Sequence, residues 1–353
     1  MDWDKVIMFN MADTFNIIPP RHPFVKAIVD GLSHECDVSP NSQCLIALSG
    51  GADSVALLRG MHVIAQRRKW QLHLVVGHVQ HHLRTDAEAD AQFCEALANQ
   101  LDLPFERRDI AIDPALGNVE DMARQLRYDA LIDMAKQHQC THIVTAHHGL
   151  DQLETMLMRL VRGTSLRGLG AMSWTRSLTD DITLIRPMLK TDHAMAMALL
   201  QSIHQPWCED QTNTDTTRLR AAIRQRVIPV LLDLRDDLPQ QVVQTADQLR
   251  LIQAMLDEQC MDAMRACQVR DDTAGVYVRY CRKQLRELPP AMLQMVLRAI
   301  LTQVGVRPDR LGAKQLSQFG KMLIDQDGSE RQLIRSRHVS VLLNRDNLTC
   351  KRT

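Results

Sequence analysis

The chain has 353 residues, which is too long for one ordinary domain and suits two, each able to bury its own core. Its 42 basic and 42 acidic side chains cancel, and this balance argues against a strongly basic nucleic-acid-binding protein. No apolar stretch approaches the roughly 20 residues that span a bilayer, so we expect a cytoplasmic protein without a membrane partner.

Strand and helix patterns alternate through the first two thirds of the chain. Residues 1–41 form a leader with one amphipathic helix at 22–34. Strands are predicted at 44–48, 72–78, 105–110, 142–146 and 182–186, with helices at 54–66, 86–101, 118–138 and 151–162 between them. This alternation predicts an α/β fold, in which helices cover both faces of a parallel, Rossmann-like sheet.

A second domain is predicted after residue 236. From 190 to 235 the strand signal fades, and the charged segment 233–239 ends in proline. Helical patterns follow at 239–268, 289–304 and 313–325, and alternation over 331–350 indicates short strands. We therefore expect the leader 1–41, a catalytic domain over 42–236 and a smaller, mainly helical domain over 237–353.

The most informative segment is a glycine-paired loop between the first strand and its helix, formed by Ser49, Gly50, Gly51, Ala52, Asp53 and Ser54. The two glycines allow a close backbone approach, so several amide N–H groups can point at one anion at the helix N-terminus. Asp53 suits such a site if Mg²⁺ lies between it and a nucleotide. The simpler alternative is a tight turn with a serine cap. The loop resembles that of the PP-loop ATP pyrophosphatases, and it lacks the lysine of a Walker A loop.

A second group of polar residues follows the strand at 142–146. His147, Asp151 and Glu154 come at its end, and the carboxyl ends of parallel strands share one edge of a sheet. We therefore expect them on the same rim as the glycine loop. The alternative is that the two acids begin a helix and that the histidine is ordinary surface.

Arginine is concentrated in three segments despite the zero net charge. The members are Arg159, Arg162, Arg167 and Arg176; Arg218, Arg220, Arg224 and Arg226; and Arg331, Arg335 and Arg337. Such clusters are typical of residues that contact RNA phosphates. Solvent-exposed helix faces have the same composition, so the sequence is compatible with both interpretations.

Cysteine use excludes several kinds of site. The nine cysteines are odd in number and scattered, and none forms a Cys-x-x-Cys pair. Neither a disulfide framework nor a zinc or iron–sulfur site is indicated, and most cysteines should be buried apolar residues.

Seven motifs occur in the order typical of one family. They begin at Ser49, His78, Asn118, His147, Arg162, Arg186 and Trp207. In these motifs the chain resembles the tRNA(Ile)-lysidine synthetases over residues 40–235, and 285–345 is similar in outline to that family's first C-terminal domain. It departs from the family at Leu150, at Gln211 and at Ala221 with Ala222.

The resemblance implies a role for individual residues. ATP is held by Ser49, Gly50, Gly51, Ala52, Asp53 and Ser54, and Asp53 also holds Mg²⁺. The catalytic residues are Asp53, His147, Asp151 and Glu154, with the last three near the reacting cytidine and the lysine amine. The arginines assigned to tRNA are Arg124, Arg127, Arg162, Arg167, Arg220 and Arg224.

The implied reaction joins free L-lysine to C2 of the wobble cytidine of tRNA(Ile) with a CAU anticodon. ATP first adenylates the C2 oxygen, and AMP and pyrophosphate are released. One rival is a PP-loop tRNA thiolase, which usually carries the Cys-x-x-Cys pairs that this chain lacks. Another is a non-catalytic RNA-binding relative. The oligomeric state is left open between a monomer and a homodimer.

Overall fold

The computed structural model describes residues 18–19, 21–80, 87–111, 119–209, 219–269, 277–306, 311–325, 329–335 and 339–352. The chain divides into two compact units, Met1–Leu249 and Arg250–Thr353. The division falls inside one helix of 30 residues, Leu238–Cys267. Each unit has its own cluster of buried apolar side chains.

The first unit is built on a six-stranded sheet. Its strands are β1 (Gln43–Ala47), β2 (His73–Gln80), β3 (Phe105–Asp109), β4 (His142–Val144), β5 (Thr175–Ser177) and β6 (Thr183–Ile185). Their spatial order is β3-β2-β1-β4-β6-β5, and all pairings are parallel except β5 with β6. Buried side chains cover both faces of β1, as its apolar run predicts.

Helices connect and cover these strands. They are α1 (Pro23–Asp30), α2 (Ala52–Ala65), α3 (Ala87–Gln100), α4 (Val119–Gln137), α5 (Gly149–Arg162), α6 (Leu166–Leu169), α7 (His193–Ser202), α8 (Leu219–Ala222), α9 (Ile228–Leu234) and α10 (Leu238–Cys267). Two π-helical turns, Gly31–Glu35 and Ile223–Val227, follow α1 and α8. None of the described helices is both long and apolar enough to cross a membrane.

The strand order places a crevice at one point of the sheet edge. β1 lies beside β4, with Ile46 opposite Val144, while β2 and β3 extend the sheet to the other side of β1. The chain thus changes direction across the sheet between β1 and β4. In open parallel sheets, ligands bind outside the carboxyl ends of the strands at such a reversal. The loops after β1 and β4 therefore flank the expected binding site.

In its described residues, the second unit combines the end of α10 and three shorter helices with an antiparallel sheet. Its strands are β7 (Gln268–Val269), β8 (Tyr277–Cys281), β9 (Arg331–Arg335), β10 (Val339–Leu343) and β11 (Asn347–Arg352), in the order β7-β8-β11-β10-β9. The helices are α11 (Arg282–Glu287), α12 (Pro290–Gln303) and α13 (Ala313–Ile324). Arg282 is buried and donates to the carbonyls of Met322, Leu323, Asp325 and Asn344, so it satisfies acceptors at the end of α13.

The predicted fold class is confirmed, and the helix and strand boundaries agree to within about three residues. The sequence did not predict α7, β5, β7 or β8, so the second unit contains more sheet than expected. Much of the predicted leader, residues 1–17 and 20, lies outside the described residues, as do parts of the motifs at 81–86 and 210–215. Most cysteines are buried, as expected.

The packing around Gly31 leaves no room for a side chain. A Cβ at this position would lie 2.3 Å from the carbonyl oxygen of Pro187, a backbone atom that follows the buried Arg186. Gly31→Ala should therefore lower the free energy of unfolding by about 1–3 kcal/mol. Thermal or urea unfolding measures the change.

The matched control is Gly320→Ala in α13, because a Cβ there would make only an ordinary contact, at 3.9 Å from the Leu293 side chain of α12. That change should be neutral or stabilising, since alanine lowers the entropy of the unfolded chain. Equal stability losses in the two variants would contradict the packing described for Gly31.

Candidate active site at the carboxyl edge of the sheet

The glycine loop is held in place by its own side chains. Gly50 has a φ of +89°, which favours glycine, and its carbonyl accepts a hydrogen bond of 2.9 Å from the N–H of Cys208. Ser54 Oγ donates to the Gly51 carbonyl at 2.9 Å and accepts from the Ser49 N–H at 3.2 Å. The loop therefore enters α2 in a fixed shape, with Gly51 as the N-cap.

Asp53, in the first turn of α2, is the centre of a small polar cluster. Its Oδ1 lies 2.9 Å from His193 Nδ1, and its Oδ2 lies 3.5 Å from His148 Nε2. Burial would raise the pKa of Asp53, but hydrogen bonds from the two histidines outweigh burial and hold it below its usual value. The hydrogen bond to Asp53 in turn raises the pKa of His193. Asp53 is therefore ionised at neutral pH.

His148 begins α5 through a reciprocal capping arrangement. Its Nδ1 accepts a hydrogen bond of 3.2 Å from the Leu150 N–H, and its own N–H donates to Asp151 Oδ2 at 3.0 Å. Because a backbone N–H can only donate, Nδ1 carries no proton and the ring proton lies on Nε2, facing Asp53. The predicted cap-like start of this helix thus exists, with His148 rather than Asp151 at the N-cap.

This tautomer bears on the metal expected at Asp53. Within the described residues, Asp53, His148 and His193 form the one group of three side chains close enough to share an ion. A protonated Nε2 cannot bind a metal, so His148 is not a ligand in this arrangement. Asp53 alone offers a hard oxygen, which fits Mg²⁺, an ion often held by one carboxylate and substrate phosphates.

Two carboxylates of α5 are paired with two arginines from the segment after residue 218. Glu154 is fully buried; its Oε2 accepts from Arg220 Nε at 2.8 Å and its Oε1 accepts from Arg224 Nε. Asp151 Oδ1 accepts from Arg220 Nη2 at 3.0 Å. Both arginines keep more than a third of their side chains exposed, at 38% and 39%. The network fixes α8 and the following turn against α5.

His147 lies in the loop between β4 and α5, directly before the N-cap residue His148. Its Nδ1 is 2.9 Å from Thr145 Oγ1. Burial lowers the pKa of His147, and the positive charges of Arg186, Arg127 and Arg124 lower it further. The imidazole is therefore neutral at neutral pH, and it can both donate and accept a hydrogen bond.

One cavity of about 460 Å³ reaches from the glycine loop to His147. Its wall combines the glycine loop with the end of β2, part of α4 and the end of β4. The lining includes Ser49, Gly51, Ala52, Asp53, Ser54, His78, Gln80, Arg127, Tyr128, Thr145, His147 and Cys208. A nucleotide at the glycine loop and a second substrate at His147 would share this space.

The predicted site residues thus fall into four groups. Asp53 and His147 line the cavity, whereas Asp151 and Glu154 do not line it and belong to the ion-pair network. Arg124 and Arg127 lie beside Tyr128, and Arg220 and Arg224 belong to that network. Arg162 and Arg167 are exposed at the end of α5 and in α6.

The sequence did not predict a role for two residues of the site. His193 meets Asp53 although 140 positions separate them, and only its place at the start of a capped helix could have suggested a role. Tyr128 lies in the cavity wall, and its residue type alone predicts no role there.

Comparison with known proteins gives consistent results. A family model of the PP-loop domain matches residues 24–231. The tRNA(Ile)-lysidine synthase of a Synechococcus strain is 31% identical over 91% of this chain and 94% of that protein. The enzyme of the same name from a Nostoc strain is 32% identical over 75% of this chain and 79% of its own.

A solved structure supports the fold alone. The U34-tRNA thiolase NcsA from Methanococcus maripaludis, with its 4Fe-4S cluster, superposes with a TM-score of 0.55 at 15% identity. The likeness covers 64% of this chain and 77% of the thiolase.

The buried pairing of Glu154 generates a stability prediction. Glu154→Gln keeps the volume of the side chain but leaves Arg220 and Arg224 without their shared carboxylate. Breaking a buried pair on one side is costly, and partial exposure of the arginines reduces the cost, so we expect a loss of about 2 kcal/mol. Urea unfolding provides the measurement.

Glu88→Gln serves as the control, because Glu88 also pairs with an arginine, Arg107, but with 59% of its side chain exposed. It should leave the unfolding transition nearly unchanged. An equally small effect of Glu154→Gln would show that the network does not stabilise α5 and α8.

Proposed function

Because the chain belongs to the tRNA(Ile)-lysidine synthases, ATP-dependent ligases of the PP-loop family that form lysidine in tRNA, we propose that its cavity carries out both steps of that reaction with free L-lysine and Mg²⁺. The substrate is tRNA(Ile) with a CAU anticodon, modified at the wobble cytidine. The observation that carries the proposal is the single cavity that the glycine loop and His147 line together.

The two steps follow from the chemistry of cytosine. Its C2 oxygen is a poor leaving group, so this oxygen first attacks the α-phosphorus of ATP, and pyrophosphate leaves. The ε-amine of lysine then attacks C2, and AMP departs with the original oxygen. Backbone N–H groups at Gly50 and Gly51 hold the phosphates at the start of α2. Asp53 would hold Mg²⁺, which neutralises phosphate charge when bound.

The remaining polar residues orient the second substrate. Neutral His147 hydrogen-bonds the cytosine base. A protonated amine cannot attack, so a base in the site must take its proton. Of the two carboxylates of α5, we assign this step to Asp151, whose side chain is 12% exposed, because Glu154 is fully buried. Glu154 then acts as a positioning residue for Arg220 and Arg224.

Binding of tRNA is assigned to the arginines around the cavity and to the second unit. The exposed edges of Arg220 and Arg224 face solvent, as do Arg162 and Arg167. In the second unit, Lys283 and Arg298 are exposed, whereas Arg282 is occupied by backbone carbonyls. The proposed tRNA contact of the second unit therefore depends on residues such as Lys283 and Arg298.

A thiolase activity is disfavoured by the similarity to proteins named tRNA(Ile)-lysidine synthase and by the lack of a Cys-x-x-Cys pair in the sequence. Cys94 and Cys208 both approach Gly50, since their Sγ atoms lie 3.5 and 3.1 Å from the position that a Cβ would take there. This proximity is not visible in the sequence. Burial raises the pKa of Cys208 to about 12 and that of Cys94 further. Both thiols are protonated at neutral pH and are poor nucleophiles.

The test of the proposed function is a coupled assay. AMP formation from ATP should require both unmodified tRNA(Ile) and lysine for sustained turnover, and the tRNA should gain one lysine at the anticodon, measured by mass spectrometry of its nucleosides. Incorporation of sulfur, or no modified nucleoside at all, would refute the proposal.

Asp53 provides a prediction that separates catalysis from RNA binding. Asp53→Ala should reduce AMP formation by at least about 100-fold, because the residue contributes to metal and phosphate placement. Binding of tRNA should stay within a few-fold. The control Asp129→Ala removes an exposed carboxylate from α4 and should change neither quantity. Equal losses of catalysis and tRNA binding in Asp53→Ala would indicate a structural role instead.

The second unit provides another prediction. Reversing the charge of Lys283 and Arg298 together, by K283E and R298E, should weaken tRNA binding and reduce the slope of log affinity against log salt by about two. ATP affinity should be unaffected. If tRNA affinity and the slope of log affinity against log salt both stayed unchanged, Lys283 and Arg298 would not contact tRNA.

A further inference from the structure

Three guanidinium groups surround the ring of Tyr128. The Cζ atoms of Arg124 and Arg176 lie 5.5 Å from the ring centroid, and that of Arg127 lies at 5.6 Å. Arg186 is buried nearby and donates to the carbonyl of Ser173 at 2.6 Å. Arginine stacks on aromatic faces while it keeps its N–H groups available for other partners. Tyr128 therefore acts as a platform that brings positive charges together.

Within the described part of the chain, no carboxylate is paired with these arginines. Among the described residues, none of the four arginines forms an ion pair, and the buried Nε of Arg186 has no hydrogen-bond partner. Burial lowers the pKa of Arg186, and the charges of Arg124 and Arg176 lower it further. Burial would raise the pKa of Tyr128, but the charges of Arg124, Arg186 and Arg127 outweigh burial and lower it. An anion bound here would relieve this repulsion.

Arg176 reaches the cluster from a strand distant from the glycine loop. It is on β5 and pairs with Leu184 of β6, which packs in the same apolar cluster as Tyr128. In the sheet, β5 is three strands from β1, about 14 Å between their backbones at the ordinary spacing of strands. Arg127 and Tyr128 line the same cavity as the glycine loop, so the cluster extends from that cavity toward β5.

We propose that Arg124, Arg127, Arg176 and Arg186 form, around Tyr128, a site for a backbone phosphate of the substrate RNA next to the target cytidine. This inference rests on the proposed function and adds Arg176 and Arg186 to the arginines that the family resemblance assigned to tRNA. Arg127 and Tyr128 line the cavity that contains His147, so a phosphate at the cluster and a base at His147 belong to adjacent parts of one strand.

The test compares Arg176→Ala and Arg176→Lys with the unaltered protein. Affinity for unmodified tRNA(Ile) is measured over a series of salt concentrations, and ATP affinity is measured separately. Arg176→Ala should weaken tRNA binding several-fold and lower the salt slope by about one, because one phosphate contact is lost. Arg176→Lys should restore part of the affinity, since lysine keeps the charge. ATP affinity should not change.

Arg68→Ala is the matched control. Arg68 is exposed in the turn before β2, at the amino ends of the strands and so opposite the carboxyl ends where the site lies. Its loss should leave the slope of log tRNA affinity against log salt unchanged. An unchanged slope in Arg176→Ala would overturn the inference, and so would weakened ATP binding with normal tRNA binding, which would assign the cluster to nucleotide phosphate. If the unaltered protein bound no tRNA, the proposed function itself would fail.

Discussion

The pairing of buried Glu154 with Arg220 and Arg224 is the interaction on which the arrangement of the site depends. It attaches the segment after residue 218 to α5 at a point where an unpaired charge would be costly. Asp151 extends the network, since it accepts from Arg220 and from the N–H of His148. His148 in turn faces Asp53 of the glycine loop. One chain of polar contacts therefore links the predicted ATP site with the arginines at the rim.

Charged side chains form two groups in the site. Asp53, Asp151 and Glu154 form the first group, with the histidines and the two arginines that pair with them. The second group consists of the arginines around Tyr128, which have no carboxylate partner among the described residues. A cation such as Mg²⁺ or an ammonium suits the first group, and an RNA phosphate suits the second.

Local patterns predicted much of this arrangement. Apolar runs and glycine placement located β1, β4 and the loop at Ser49–Ser54, because these features depend on neighbouring residues and on burial of whole strands. Contacts between distant segments were not predictable. Neither the meeting of His193 with Asp53 nor the approach of Cys94 to Cys208 leaves a local pattern. From its residue type, Arg282 is likewise expected at the surface, and only tertiary packing explains its burial.

In the proposed mechanism the shared cavity activates the RNA base rather than the amino acid. This order of steps can be measured directly with ATP radiolabelled at its α-phosphate, with tRNA(Ile) present and lysine omitted. The label should become attached to the tRNA, and added lysine should then release it as AMP while lysidine forms. Label found on lysine as an acyl adenylate, with none on the tRNA at any time, would show that the amino acid is activated instead.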